Sequence, residues 1–170
     1  MSKKVAVVMT NMFEDSEYTS PKEAFEKEGH TLTVIEKEKG KTVEGKNKEA
    51  SETVDASIDE VSPADFDALF IPGGFSPDML RADERFVTFA KHFMDENKPV
   101  FAICHGPQLL ITAKALEDRN VTGFTSIQTD LEYAKANVYD QEVVVCHNLV
   151  TSRTPDDLPA FNREALKQLQ

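Results

Sequence analysis

The sequence predicts an α/β fold: a mostly parallel sheet with helices on both faces. Three observations carry this. Apolar runs at residues 5–10, 32–35, 68–71 and 100–103 are continuous rather than alternating, as strands buried on both faces require. Helical patterns fall between them, giving the strand-helix alternation of parallel sheets. Two of the runs end directly in turn residues, Pro72-Gly73-Gly74 and Cys104-His105-Gly106-Pro107.

At 170 residues, with no repeat, linker or low-complexity tract, the chain is expected to form a single domain over 1–170. Its net charge of -11, from 19 basic and 30 acidic residues, argues against a nucleic-acid or anionic-membrane surface and points to small molecules or proteins as partners. The two cysteines, Cys104 and Cys146, lie in or beside expected strands, which argues against a disulfide framework and for a reducing compartment. The apolar start, residues 5–9, is too short for a signal segment or membrane span, so a cytoplasmic protein is expected.

The elements follow in order. After the first strand comes the polar turn 11–17. Ser20-Pro21-Lys22-Glu23 reads as a capping box opening a helix there, or a turn earlier near Ser16, with Ala24 and Phe25 inward and Gly29 closing it. Residues 36–50 are charged, glycine-punctuated and aperiodic, a loop or hairpin in which no chemistry is legible. Ser62-Pro63-Ala64-Asp65 is a short capped turn and Ser76-Pro77-Asp78 begins another. Phe86, Phe89, Ala90 and Phe93 recur at helical spacing, predicting an amphipathic helix over 83–96 with those aromatics in the core. Later strands are expected at 122–125, 143–146 and 150–152, helices at 129–136 and from Thr154-Pro155-Asp156-Asp157 to about residue 169.

The stretch 100–108 carries the chemistry. A buried strand stops at Cys104, and Gly106 and Pro107 suit a sharp turn into the helix begun by Gln108-Leu109. This is the layout of a nucleophile elbow with cysteine as nucleophile, held near helix N-terminal amides that favour thiolate. Gly73 and Gly74, at the same sheet edge, allow backbone amides to approach a ligand. Glu14 and Glu17 follow the first strand, and either could reach the sulfur. The one that does should be protonated in part, with a raised pKa, because a carboxylate would repel a thiolate. His105 is a candidate acid or base, but its place next to Cys104 in a sharp turn points it away from the sulfur, toward a substrate or another carboxylate. His30, His92 and His147 have no zinc-site spacing and read as surface or edge residues, and Cys146 as inert packing.

The motifs Phe13-Glu14-Asp15-x-Glu17, Phe66-Asp67-Ala68 through Pro72-Gly73-Gly74, Ala102 through Gln108, and Thr151-Ser152-Arg153-x-Pro155-x-Asp157-Leu158 span nearly the whole chain. On them the sequence resembles the PfpI family of intracellular cysteine proteases and amidases, in the glutamine-amidotransferase-like superfamily, and most of all its short bacterial general stress proteins. The resemblance implies a flavodoxin-like three-layer sandwich with Cys104 as nucleophile. It implies Glu17 as the carboxyl touching the sulfur, matched by its spacing to Pro21, and oxyanion amides from Gly74 and His105. It also implies a carboxylate at Asp78 that pairs with the histidine of a neighbouring subunit, and a homodimer or higher oligomer. Asp78 is shorter than the family's usual glutamate, Phe124 stands where a tyrosine is common, and Lys46-Asn47-Lys48 departs from a glycine-containing turn. Three functions are implied, none with a cofactor or metal: addition of Cys104 to reactive carbonyls in glyoxalase or deglycase chemistry, cysteine peptidase or amidase activity, and non-enzymatic redox sensing or holdase activity.

Overall fold

A computed structural model describes residues 1–170. In chain order the elements are β1 (Lys4–Val8), α1 (Asp15–Lys27), β2 (Thr31–Glu36), β3 (Thr42–Glu44), β4 (Ser51–Thr53), β5 (Ala56–Ser57), β6 (Ala68–Ile71), α2 (Ser76–Leu80), α3 (Glu84–Asp95), β7 (Val100–Ile103), α4 (Pro107–Thr112), β8 (Asn120–Val121), α5 (Gln128–Tyr133), β9 (Asn137–Val138), β10 (Val144–Cys146), β11 (Leu149–Ser152) and α6 (Leu158–Gln168). Seven strands form one sheet in the order β10-β11-β7-β6-β1-β2-β5. Every pairing in it is parallel except β10 with β11. The flavodoxin-like three-layer sandwich is thus present, with small β3–β4 and β8–β9 pairs beside the main sheet. No helix is long and apolar enough to cross a membrane.

The continuous apolar strands are explained by two cores. Val5 and Val7 of β1 face one, with Phe25 of α1 and Phe161 of α6, while Ala6 and Val8 face the other, with Phe86 and Phe93 of α3 and Leu109 of α4. Side chains alternate across a strand, so a strand covered on both faces must be apolar at every position. Phe25 is fully buried, its ring 5.9 Å from that of Phe70 and 5.7 Å from that of Phe101. Burying such a ring contributes on the order of 2–3 kcal/mol.

Several boundaries differ from expectation. Helix α1 takes the earlier of its two expected starts, at Asp15, and Pro21 lies inside it. Ser20 does not cap, because its hydroxyl accepts a hydrogen bond from Asn162 Nδ2 and so ties α1 to α6. The stretch at 122–125 is not a strand. Thr122 N donates to Thr151 Oγ1 and Phe124 N to Cys104 O, so these amides serve side-chain and turn partners instead of a ladder, and Thr125–Ile127 is a 3-10 turn. Helix α5 ends at Tyr133, soon before Lys135 takes a φ of 68°. His30 is buried, its Nδ1 accepting from Lys3 N at 3.0 Å. Both cysteines are buried and unpaired.

The three central strands β7, β6 and β1 are neighbours. Their carboxyl ends run into the Cys104 elbow, the Gly73-Gly74 turn and the Glu14 turn, and so bring three separated motifs to one edge.

Candidate active site

Cys104 follows β7 directly and has a φ of 63°, in the left-handed region where a side chain costs about 1–2 kcal/mol. The turn is held on both sides: Cys104 N donates to Ser152 O at 3.0 Å, and Cys104 O accepts from Phe124 N at 2.9 Å. The elbow packs against Ile71 O, which leaves no room for a side chain at Gly106. A strained cysteine locked from both ends marks a position kept for its orientation.

The end of β6 supplies the Gly73-Gly74 turn, bridged through Gly74 to Phe13 in the turn after β1. Gly74 has a φ of 80°, and a methyl group on it would stand 2.5 Å from both Glu14 N and Met12 O. A methyl group on Gly73 would collide with Glu17 Oε1 and stand 2.8 Å from Cys104 Cβ. Glu17 and Cys104 therefore occupy adjoining space that exists because residue 73 has no side chain.

Glu17 is fully buried, and neither carboxyl oxygen makes a well-formed hydrogen bond, its polar neighbours being the Cys104 thiol and the Gly73 amide. Burial, reinforced by the charge of Glu14, pushes its pKa up to about 8, against smaller opposing effects from Cys104, Lys46 and the Gly73 amide. The carboxyl is neutral at pH 7 and able to donate a hydrogen bond. Burial and any negative charge on Glu17 push the Cys104 thiol up, while the backbone N–H groups of His105 and Gly74 pull it down. Keeping the proton on Glu17 removes the repulsion and leaves those two amides facing the sulfur. Glu14 is held away from the sulfur, its carboxylate bound by Lys46 Nζ at 2.7 Å and Asn47 Nδ2 at 3.0 Å.

His105 corrects the sequence reading. It does not point away: its Nδ1 lies 3.3 Å from Cys104 Sγ and its Nε2 lies 3.4 Å from Ser126 Oγ. The positive φ at Cys104 curls the chain so that successive side chains converge, which ordinary backbone angles would prevent. The imidazole stacks on Phe124, with centroids 4.9 Å apart. Burial, then the charge of Lys46, lowers its pKa, with Asp78 opposing, so it is neutral at pH 7. Asp78 itself is on α2, 66% exposed, 4.0 Å from Arg81 Nη1 and in no contact with His105 within the chain.

Glu14, Glu17, Lys46, Cys104, His105 and Phe124 line a cleft of about 130 Å³. Sequence reasoning missed Lys46, Asp15 and Ser126. Asp15 is buried and accepts hydrogen bonds from Asn47, Glu49 and Ala50 N, fixing the loop that carries Lys46. The signal available was an aspartate between two glutamates after a strand, which says nothing about which acid turns inward. Cys146 is far from this chemistry, accepting from Arg119 Nε at 3.4 Å and Asn120 N at 3.3 Å.

Comparison with known proteins bears on the family and the fold. General stress protein 18 of Bacillus subtilis is 69% identical over 171 residues, covering 100% of this chain and 99% of that protein. Protein/nucleic acid deglycase 2 of Escherichia coli is 62% identical over 170 residues, covering 99% of both. A ThiJ/PfpI domain protein from Brachyspira murdochii superposes with a TM-score of 0.91 at 31% identity, covering 98% of this chain and 95% of that one. The DJ-1/PfpI family matches residues 3–168, and with relatives this similar over their full length, the chain belongs to that family.

Proposed function

We propose that the protein is a stress-related, cofactor-free enzyme that adds Cys104 to small reactive carbonyls, in glyoxalase or deglycase chemistry. The observation that carries this reading is the fully buried Glu17, its pKa raised by burial to about 8, beside a cysteine on a strained elbow. A pKa near 8 suits a group that must both give and take a proton at neutral pH. His105 Nδ1 takes the thiol proton as the sulfur adds to an aldehyde carbon, and the carbonyl electron pair goes to oxygen, facing the Gly74 and His105 amides. Glu17 protonates that oxygen, giving a hemithioacetal. As a carboxylate, Glu17 then moves the C1 proton of an α-oxo aldehyde to C2 while the hydroxyl proton passes from the C1 oxygen to the C2 oxygen, leaving a thioester that water hydrolyses to a hydroxy acid and free thiol.

Three further observations support it. The deglycase named above shares 62% of its residues, and the stress protein 69%. The 130 Å³ cleft suits a small carbonyl better than a peptide. The acidic surface disfavours a polyanionic substrate. A second reading, a cysteine peptidase or amidase, draws on YraA of Bacillus subtilis, 57% identical over 170 residues, whose name proposes a cysteine protease. It would set Asp78 against His105 of a second copy. Exposed Phe75, which lines the cleft, together with exposed Met12 and Met79 supports a homodimer or higher oligomer, and we take the cytoplasm as its place of action.

The test is lactate release from methylglyoxal by the reduced protein without glutathione. Turnover that is lost in Cys104→Ser, by at least ~10³-fold, is expected. Absence of turnover in the reduced wild type would overturn the reading in favour of amide cleavage or oxidation of Cys104.

A further inference from the structure

The chemistry above uses Cys104, His105 and Glu17 and leaves unassigned the one permanent cation lining the cleft, Lys46. Its loop, residues 44–50, is charged and lies outside the main sheet, yet it is fastened to the turn after β1 at nearly every residue. Glu44 N donates to Asn11 Oδ1 and Glu44 O accepts from Met12 N. Lys46 N donates to Phe13 O at 2.9 Å. Asp15, 3% exposed, accepts from Asn47 N at 2.9 Å, Glu49 N at 3.0 Å and Ala50 N at 2.9 Å. A side chain on Gly45 would collide with the Asp15 carboxylate. A surface counter-ion for Glu14 needs no such latch, since exposed ion pairs form and break at little cost.

The latch delivers Lys46 Nζ to the cleft wall, 2.7 Å from Glu14 Oε2 and 6.0 Å from the Phe75 ring centroid. Glu14 keeps a second donor in Asn47 Nδ2, so the ammonium has N–H groups to spare for another acceptor.

We infer that Lys46 is a further catalytic residue, the cation that supports the Cys104 thiolate and then the substrate oxygen made negative when the sulfur adds, and that Asp15 is its positioning residue. The second half of this role rests on the carbonyl reading above. In the step concerned the C–S bond forms, the carbonyl π pair moves to oxygen, the Lys46 ammonium donates a hydrogen bond to that oxygen, and Glu17 supplies the proton that neutralises it. The charged and titratable groups around the sulfur are Glu17 within α1, Lys46 from the loop and His105 from the elbow, with Glu14 tied to Lys46 and Asp78 of α2 felt at His105. Lys46 is the only side chain among them that carries a permanent positive charge; Glu14 first, and a negative Cys104 after it, raise the lysine's pKa.

The test compares Lys46→Met, Lys46→Arg and Asp15→Asn with wild type in two assays. The first is the pH profile of iodoacetamide alkylation at Cys104, read on the Cys104 peptide by mass spectrometry. It needs no turnover and so stands even if the carbonyl reading fails. Lys46→Met should move the profile's midpoint up by about one pH unit, Lys46→Arg should restore it, and Asp15→Asn should move it part of the way. The second is kcat/KM for methylglyoxal, expected to fall roughly 10–100-fold in Lys46→Met, mainly in kcat, with recovery in Lys46→Arg. An unchanged alkylation profile in Lys46→Met, or a shift that Lys46→Arg reproduces instead of repairing, overturns the proposal. A shifted profile in a protein without methylglyoxal turnover keeps the lysine's role and removes the substrate.

Discussion

Two buried carboxylates stand two residues apart in the first turn of α1, and their environments push them in opposite directions. Asp15 is 3% exposed, and three backbone N–H groups outweigh its burial and hold its pKa below the ordinary value. Glu17 is 0% exposed, makes no well-formed hydrogen bond through either oxygen, and rises to about 8. Burial is common to both, so burial does not make the active group. Partners convert one buried acid into a fastener, and their absence leaves the other holding a proton it can deliver. The same contrast separates the cysteines: Cys146 rests under Arg119 in an edge strand, while Cys104 is held at a φ of 63° beside an unsatisfied acid.

The strongest way to break this comparison is to remove the titration at Glu17. Glu17→Gln keeps a hydrogen-bond donor of similar shape but cannot transfer a proton, so kcat for methylglyoxal should fall roughly 10²–10⁴-fold. An unchanged kcat would end its acid/base role. Stability sharpens the point. An acid whose folded pKa is raised from 4.5 to about 8 contributes stability below pH 4.5 that is lost as pH rises toward 8. The stability of Glu17→Gln relative to wild type, from urea unfolding, should therefore grow by roughly 2–3 kcal/mol between pH 4.5 and pH 7.

At Asp15 the sign reverses. Its lowered folded pKa gives stability that is present above 3.8 and lost as pH falls through the folded value. Asp15→Asn should cost about 2–4 kcal/mol at pH 7, because the amide keeps one accepting oxygen and sets its N–H groups against at least one of the three backbone donors, and the loss should shrink in acid. A pH-independent loss would show that shape and not charge holds the loop. The smallest effect is expected at the exposed Asp78, where Asp78→Asn should change kcat/KM less than about 3-fold. A larger fall that deepens on dilution would show that Asp78 acts on His105 across an interface between copies.

Much of the fold could be read from the chain because it is local. Continuous apolar runs can only be strands covered on both faces, Phe86 to Phe93 repeat at helical spacing, and Cys104-His105-Gly106-Pro107 punctuates a strand end. Of the two starts the sequence offered for α1, the earlier one near Ser16 is the observed one, at Asp15, and Ser20 inside the helix accepts from Asn162 of α6 instead of capping. The strand expected at 122–125 failed, its amides taken by Thr151 and Cys104 from distant segments.

By itself the sequence determined the layered α/β class, the candidate nucleophile and the set of acids that could serve it, since these depend on periodicity and on residue type at a turn. Tertiary structure alone decided which acid kept its proton, that His105 meets the sulfur it follows, and that a charged loop brings Lys46 to the cleft. Each of those outcomes depends on who donates to whom across tens of residues, and on how far water is excluded when they meet, which no single segment encodes.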